Sequence, residues 1–282
     1  MNLILINGKI FIYDKILYKQ KIEVIVNSKV IVKSKNKIKG SVNIKEWIIV
    51  LTSFVVVSCF LIQPFKIPSG SMIPTLLVGD FLVVNKFVYG YSNDSFRIGT
   101  FSIPLPKITK RLFSENTPKQ GEVVVFRNPK DRDHNYIKRV IGTPGDKIQI
   151  INGVVNINDK PCDLKEDNDY SIIENEQYVV YKKYIETLPN GYKHVIIKKF
   201  PFGQGGLDNV GPFVIPEGHY FMMGDNRDNS QDSRVIEAVG FVPLERIMGR
   251  AELIFFSSSC SIFEVLKWPF SMRFERFFNL IR

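Results

Sequence analysis

The longest uninterrupted apolar stretch of the chain covers residues 47–65, WIIVLTSFVVVSCFLIQPF, and contains no charged side chain. As a helix it would extend about 28 Å at 1.5 Å per residue, close to the roughly 30 Å hydrocarbon core of a bilayer. Trp47 at one end and Gln63-Pro64 at the other favour a spanning segment over a helix buried in a protein core. The pattern therefore predicts one transmembrane helix over 47–65.

A cluster of lysines comes directly before this stretch. Residues 29–45 contain no acidic residue, and the first one that follows is Glu46. Because positive residues flank membrane helices on the cytoplasmic side, residues 1–46 are predicted to be cytoplasmic and the chain after Pro64 to lie on the trans side. The cluster comprises Lys29, Lys33, Lys35, Lys37, Lys39 and Lys45.

Residues 1–26 alternate apolar and polar positions as a strand does, but they are too few for a core of their own. They lack the apolar core and small-residue cleavage site of a signal peptide. We expect residues 1–26 to be a poorly ordered segment or the result of a wrongly assigned translation start, and we assign them no function. The sequence leaves open whether residues 1–40 are ordered.

After the apolar stretch the pattern changes to short β-rich runs separated by turn residues. Asn152-Gly153 is typical of a type I′ hairpin turn. The pattern predicts a β domain over 66–150 and 213–258, an inserted β subdomain over 151–212, and a tail over 259–282 that is aromatic, basic and helical after Pro269. The tail is expected either on the membrane surface or packed on the domain. The predicted strands lie at 81–84, 121–129, 136–141 and 219–223, and a predicted hairpin covers 147–158.

The segment 91–120 is predicted to be a loop with an apolar face, which would belong either to the core or to a lipid contact. The side chains of this face are Phe96, Ile98, Phe101, Ile103 and Leu105.

The formal net charge of +10, from 38 Lys+Arg and 28 Asp+Glu, suits nucleic acid or an anionic membrane surface. No helix-turn-helix, zinc-finger or aromatic RNA-reading pattern is present in the sequence, so we predict lipid contact and no nucleic acid partner. The cysteines Cys59, Cys162 and Cys260 show no CxxC spacing, and we predict no structural disulfide, no metal site and no cofactor.

Candidate chemistry begins directly after the apolar stretch, at IPSGSMIPT, residues 67–75. The prolines here force extended or turn conformations on the residues before them, so Ser69, Gly70 and Ser71 are predicted on irregular backbone just outside the bilayer. A serine that attacks an acyl carbon needs a base and an oxyanion site.

Two residue types could supply the base. Of the histidines, His134 lies in a charged connector, His194 in a weakly patterned region and His219 at a strand start, so none is favoured. Lys138 lies inside an apolar strand, with Tyr136 and Val140 on its own face. Lowering a lysine pKa by about three units requires roughly 4 kcal/mol, which desolvation can supply. The alternative for such a lysine is a snorkelling surface residue.

Three segments together resemble the successive sequence boxes of bacterial type I signal peptidase, and they occur in the order of that family. They are PSGSMIPTL at 68–76, YIKRVIGTPGD at 136–146, and GDNRDNSQDSR at 224–234 followed by GFVP at 240–243. The resemblance runs from about Trp47 to Phe256, roughly three-quarters of the chain.

The resemblance implies a role for each matching residue. Ser71 would be the nucleophile and Lys138 its neutral general base. The oxyanion hole would combine the Ser71 N–H with the Ser69 hydroxyl. The third segment would support the dyad, with Ser230 orienting the lysine amine and with Asp232 and Arg234 as an ion pair that has Arg139 nearby. Without a role at the dyad, this third segment would be a solvated loop or a calcium site. Its carboxylate spacing does not fit an EF-hand loop.

The resemblance also implies the fold and the substrate. We expect a mainly β, membrane-anchored catalytic domain of antiparallel sheets with an inserted β subdomain and one N-terminal transmembrane helix. The protein would be monomeric and single-pass in the bacterial cytoplasmic membrane, and it would cleave signal peptides of exported preproteins after small-x-small motifs, each peptide bound as an added strand.

Two other readings compete with this one. A self-cleaving repressor-type Ser-Lys protease would share the chemistry, but its expected DNA-binding domain is missing. A catalytically inactive, membrane-tethered module for extended peptides would need neither Ser71 nor Lys138. The sequence also departs from the family pattern, because its N-terminal extension has no counterpart, it has one anchor where some members have two, and the cysteine pair of some members is not evident.

Overall fold

The computed structural model describes residues 2–6, 9–13, 23–24, 44–60, 62–92, 97–98, 101–102, 111–131, 133–174, 177–260 and 271–282. The chain divides into two compact units, Met1–Trp47 and Ile48–Arg282. In the first unit three short strands form an antiparallel sheet in the order β1-β2-β3, which confirms the strand-like alternation. These strands are β1 (Asn2–Ile6), β2 (Lys9–Tyr13) and β3 (Glu23–Val24). The lysines from Lys29 to Lys39 lie outside the described residues.

The predicted helix over 47–65 is wrong in its extent. Helix α1 is Ile44–Phe60, and β4 (Ile62–Lys66) is a strand that pairs antiparallel with residues 81–85. Pro64 explains the difference, since proline inside a helix removes a hydrogen bond and clashes with the preceding turn, whereas an edge strand accepts it. No helix in the described part of the chain combines the length and the apolar character needed to cross a membrane.

In the described residues of the second unit, β4 is followed by seventeen further strands. The first five are β5 (Asp80–Asn85), β6 (Arg97–Ile98), β7 (Phe101–Ser102), β8 (Val123–Arg127) and β9 (Asn135–Gly142). The next seven are β10 (Lys147–Ile151), β11 (Val154–Ile157), β12 (Lys160–Pro161), β13 (Asp163–Glu166), β14 (Tyr170–Glu174), β15 (Gln177–Thr187) and β16 (Lys193–Lys198). The last five are β17 (Val210–Val214), β18 (His219–Met223), β19 (Val242–Pro243), β20 (Ile247–Ser257) and β21 (Asn279–Leu280).

An eight-stranded sheet carries the core, in the order β19-β18-β9-β8-β20-β5-β4, with β21 paired to β20. Its central strand β8 is buried along its whole length. Val124 and Phe126 pack into one apolar cluster, while Val123 and Val125 pack into two others. A strand covered on both faces reads as a continuous apolar run, which is the VVVF of the sequence.

The remaining strands form two sheets of four, in the orders β12-β11-β10-β17 and β13-β15-β14, the latter with β16 paired to β15, and the two-stranded sheet β6-β7. The hairpin at Asn152-Gly153 is confirmed, because Ile151 pairs with Val154 and both turn residues have positive φ. The mainly β fold class is therefore confirmed. The division at 151 and 212 stays a prediction. Of the predicted apolar face in 91–120, Phe96, Ile103 and Leu105 lie outside the described residues, as do the side chains of Ile98 and Phe101.

The predicted helix after Pro269 does not continue beyond Ser271, which is helical. Residues 272–282 contain one 3₁₀ turn, Phe274–Arg276, followed by β21. Phe278 has a φ of 60°, which interrupts any continued right-handed helix. Ile281 packs against the buried cluster that includes Met72 and Leu76, so this part of the tail lies on the β domain.

Candidate active site

Ser71 and Lys138 meet although 67 positions separate them in the sequence. Ser71 lies in the turn between β4 and β5, and Lys138 lies in the middle of β9. The Lys138 Nζ donates to the Ser71 Oγ at 2.6 Å and to the Ile137 carbonyl at 3.0 Å. Both side chains are buried, with Ser71 8% and Lys138 4% exposed.

The surroundings of Lys138 favour its neutral form. Burial is the main cause that lowers its pKa to about 8, Arg234 acts in the same direction, and Asp232 and Asp225 oppose it. The Nζ lies 5.5 Å from the ring centroid of Tyr136, on the strand face that the sequence predicts. A pKa near 8 leaves about a tenth of the amine unprotonated at pH 7, whereas an ordinary lysine would have less than a thousandth.

The loop after β18 contains the predicted ion pair. The Arg234 Nε donates to the Asp232 Oδ1 and its Nη2 to the Oδ2, each at 2.9 Å. The Ser230 hydroxyl donates to the Asp232 Oδ2 at 2.7 Å, and the Gly224 N–H donates to the same oxygen at 3.0 Å. Burial raises the pKa of Asp232, but Arg234 and these hydrogen bonds outweigh it and lower the pKa below its usual range. The hydroxyl proton of Ser230 is thus used by Asp232, and its role toward Lys138 stays a prediction.

Arg139 is held by a partner that sequence reasoning missed. Its side chain is fully buried, and its Nε and Nη2 donate to the two carboxylate oxygens of Asp225 at 2.9 and 2.7 Å. The Thr75 hydroxyl donates to the Asp225 Oδ2 at 2.5 Å. Asp225 therefore links β9 to the loop that carries Ser71. The signal for this pair was available, since an arginine on a buried strand face requires a carboxylate.

Asn226 is a second missed residue, and it contacts the Ser71 loop directly. Its N–H donates to the Ser71 carbonyl at 3.1 Å, and its Nδ2 donates to the Gly70 carbonyl, also at 3.1 Å. These bonds join two loops more than 150 positions apart, a relation that no local pattern reveals.

Gly224 allows this close approach. A Cβ built on Gly224 would lie 2.5 Å from the Ser71 carbonyl oxygen and 2.3 Å from the Ser230 Oγ. Any larger side chain at this position must therefore move the backbone of the Ser71 loop.

Replacing Gly224 with alanine is expected to lower kcat by about tenfold to a hundredfold, because a shift of about 1 Å at the reacting group can cost a hundredfold. Cleavage kinetics of purified variants measure the effect. Gly206→Ala is the matched control, since no atom lies within 4 Å of a Cβ built there. Equal kcat values for the two variants would contradict the prediction.

The predicted oxyanion group is less constrained. Ser69 is exposed, two positions before Ser71. Within the described residues the Ser71 N–H takes no part in a backbone hydrogen bond. Both donors are thus available, and their role stays a prediction.

None of the three histidines contacts Ser71. His134 bonds to Asp131, His194 lies buried beside Glu186, and the His219 Nδ1 contacts the Glu217 carbonyl. Among the described residues, no group of three or more His, Cys, Asp or Glu side chains could hold a metal ion.

Comparisons with known proteins agree with the predicted resemblance. The family model described as "Signal peptidase, peptidase S26" matches residues 42–256. Signal peptidase I of Rickettsia typhi is 41% identical over 234 residues, which cover 78% of this chain and 85% of that protein. Signal peptidase I of Rickettsia conorii is 40% identical with the same coverage. A crystal structure of a signal peptidase I from Enterococcus faecalis is 23% identical, with a TM-score of 0.29, and covers 48% of this chain and 97% of that one.

These relatives identify the class of the molecule as a serine endopeptidase. The chain belongs to the signal peptidase family, peptidase S26. The predicted resemblance is therefore confirmed, and membership in this family supports the removal of signal peptides as the activity.

Proposed function

We propose that this chain removes N-terminal signal peptides from exported preproteins by acyl transfer, with Ser71 as nucleophile and Lys138 as general base. One observation carries the proposal: the buried Lys138 Nζ lies 2.6 Å from the Ser71 Oγ. A general base must lie within hydrogen-bond reach of the proton that it removes, and its pKa should lie near the working pH. Lys138 is within that reach, and burial lowers its pKa to about 8, so that a fraction of the amine is neutral near pH 7.

The reaction would proceed in two steps. In the first, the neutral Lys138 amine accepts the hydroxyl proton while Ser71 Oγ attacks the scissile carbonyl, and the Ser71 N–H with the Ser69 hydroxyl stabilises the oxyanion. The Lys138 ammonium then protonates the leaving amine, which departs as the mature protein and leaves the signal peptide esterified to Ser71. In the second step Lys138 removes a proton from water, which hydrolyses the ester and restores the dyad.

The supporting residues would keep Lys138 in place without cancelling the effect of burial, which lowers the pKa of its amine. The Asp232 charge is paired with Arg234 and the Asp225 charge with Arg139. A bare carboxylate beside the amine would favour the ammonium and weaken the base, whereas a paired one does so less. We propose that Ser230 orients the amine through a free lone pair, since its hydrogen already bonds Asp232.

We place the enzyme at the bacterial cytoplasmic membrane, as a single-pass monomer anchored by the apolar stretch that begins at Trp47, with its N-terminus inside. The support is the lysine cluster before α1 and the exposure of its apolar side chains, at 56% or more for Trp47, Ile48, Ile49, Val50 and Leu51. The substrate would bind extended beside the Ser71 loop and present small side chains to it.

Trapping the acyl-enzyme tests the proposal. The purified chain is mixed with a preprotein, quenched in acid and digested, and mass spectrometry is expected to find the signal peptide esterified to the peptide that contains Ser71. The mature protein should start at the residue after a small-x-small motif. Ser71→Ala is expected to yield neither product. An ester on another residue, or cleavage by Ser71→Ala, would refute the assignment, and binding without cleavage by the unaltered chain would indicate an inactive module.

A further inference from the structure

The segment of residues 271–282 lies outside the part of the chain that the family model matches, which ends at residue 256. It nevertheless contacts the loop that carries Ser71. We call residues 67–80 the nucleophile loop and residues 271–282 the C-terminal clamp. The contacts between them suggest a function for the clamp in the reaction.

Arg276 joins the two segments at the centre of their contact. Its Nη2 donates to the Thr75 carbonyl at 3.0 Å and to the Asp80 Oδ2 at 2.6 Å, and its Nε donates to the Asp80 Oδ1 at 3.1 Å. The Asp80 side chain is fully buried, and that of Arg276 is 16% exposed. A fork that bonds both carboxylate oxygens and a backbone carbonyl fixes position as well as charge.

Arg273 makes a second connection to the same loop. Its Nη2 donates to the Val78 carbonyl at 2.8 Å, and its Nε donates to the Ser257 hydroxyl oxygen at 2.7 Å. That hydroxyl in turn donates to the Asp80 Oδ1 at 2.6 Å. Asp80 also accepts the Leu77 N–H at 2.8 Å, so the carboxylate closes the loop and binds it to the clamp.

The last two residues of the clamp contact buried side chains next to the dyad. The Arg282 carbonyl accepts a hydrogen bond from the Arg139 Nη2 at 3.2 Å, and Ile281 packs into the buried cluster with Met72 and Leu76. Strand β21 holds this end in register, because Leu280 of β21 pairs with Leu253 of β20.

Ser71 is therefore supported from two directions. Asn226 bonds its carbonyl from the loop after β18, and Arg276 bonds the Thr75 carbonyl, four positions further along, from the clamp. The Thr75 hydroxyl is itself bonded to Asp225, so Thr75 is fixed at both its backbone and its side chain. Only the first of these directions lies within the family match.

We propose that Arg276 is a positioning residue, which holds the nucleophile loop so that Ser71 Oγ stays within reach of the Lys138 amine. The inference rests on the proposed function of Ser71 as nucleophile. A positioning residue acts on the chemical step and leaves substrate binding largely unchanged, since the lost alignment is expressed at the reacting atoms.

Steady-state cleavage of a preprotein by Arg276→Gln and Arg276→Lys tests the proposal. Arg276→Gln is expected to lower kcat by about tenfold to a hundredfold, with KM changed less than about twofold. Arg276→Lys keeps the charge beside Asp80 but cannot hold all three oxygens, so its kcat is expected between those of Arg276→Gln and the unaltered chain.

The matched control is Arg250→Gln. Arg250 is a half-buried arginine of β20 that bonds two carboxylates, Glu122 and Glu252, and does not contact the nucleophile loop. Its loss is expected to lower the unfolding midpoint about as much as the loss of Arg276, while kcat stays within about twofold of the unaltered chain.

The outcomes separate this inference from the proposed function. If both Arg276 variants keep kcat within about twofold of Arg250→Gln, or if the loss appears in KM alone, the positioning role is overturned. If Ser71→Ala cleaves in the same assay, the proposed function itself fails. Should Arg276→Gln not fold, Arg276→Lys alone decides, because it leaves no uncompensated charge on Asp80.

Discussion

Replacing Lys138 with methionine is expected to lower cleavage by about 10² to 10⁴-fold and at the same time to make the folded chain more stable at pH 7. The loss of activity follows from the loss of the base that contacts Ser71. Methionine has a similar length and no polar atom that requires hydration, so it fits an apolar site well. The opposite signs of the two effects distinguish this substitution from one that merely disrupts the fold.

The gain in stability follows from the lowered pKa of Lys138. In the unfolded chain the amine keeps its proton up to about pH 10.5, whereas in the folded chain its pKa is about 8. Between these values the unfolded state binds more protons, so the stability of the unaltered chain rises with pH, and below pH 8 the buried ammonium costs about 3 kcal/mol. Lys138→Met is therefore expected to gain about 3 kcal/mol at pH 7, and the gain should disappear toward pH 10.5.

Unfolding of the detergent-solubilised chain at pH 7 and at pH 10, with cleavage rates at each pH, measures both effects. Lys147→Met is the matched control, because Lys147 is a partly exposed lysine of β10 that pairs with Asp159 outside the site. Its midpoint and its rate are expected to stay nearly unchanged. A Lys138→Met variant that cleaves normally, or that is less stable at pH 7, would contradict the prediction. The unaltered chain should cleave faster as the pH rises through about 8.

The strands that position the dyad could be predicted from the sequence because their signals are local. YIKRVI and HYFMM alternate or run apolar over a strand's length between turn residues, and they became β9 and β18 with boundaries shifted by at most one residue. Lys138 stood out for the same reason, as a charge among apolar positions. The confirmed hairpin at Asn152-Gly153 depends on two adjacent residues alone.

The errors concern residues whose partners lie far along the chain. The end of α1 depended on Pro64 and on the pairing of β4 with β5, and apolar composition alone does not distinguish a helix from an edge strand. The position of residues 271–282 depends on Asp80, which is 196 positions from Arg276. The aromatic and basic composition of this segment left a membrane-surface location and packing on the domain both open. The buried carboxylate of Asp80 determines where Arg273 and Arg276 lie.

Replacing Asp225 with leucine is expected to destabilise the fold by about 3 to 5 kcal/mol, because it leaves the fully buried guanidinium of Arg139 without its carboxylate. The Thr75 hydroxyl loses its acceptor at the same time, so the cleavage rate should fall as well. Replacing both partners, as Asp225→Leu with Arg139→Met, removes the unpaired charge and is expected to recover most of the lost stability.

Urea unfolding of the solubilised single and double variants tests this prediction, with Asp169→Leu as a control that breaks an exposed ion pair with Lys182 and should leave the midpoint unchanged. The double variant is expected to fold without regaining full activity, since the link from Asp225 to Thr75 is still absent. A double variant no more stable than Asp225→Leu would show that the pair contributes shape and hydrogen bonds to this core beyond the balance of its charges.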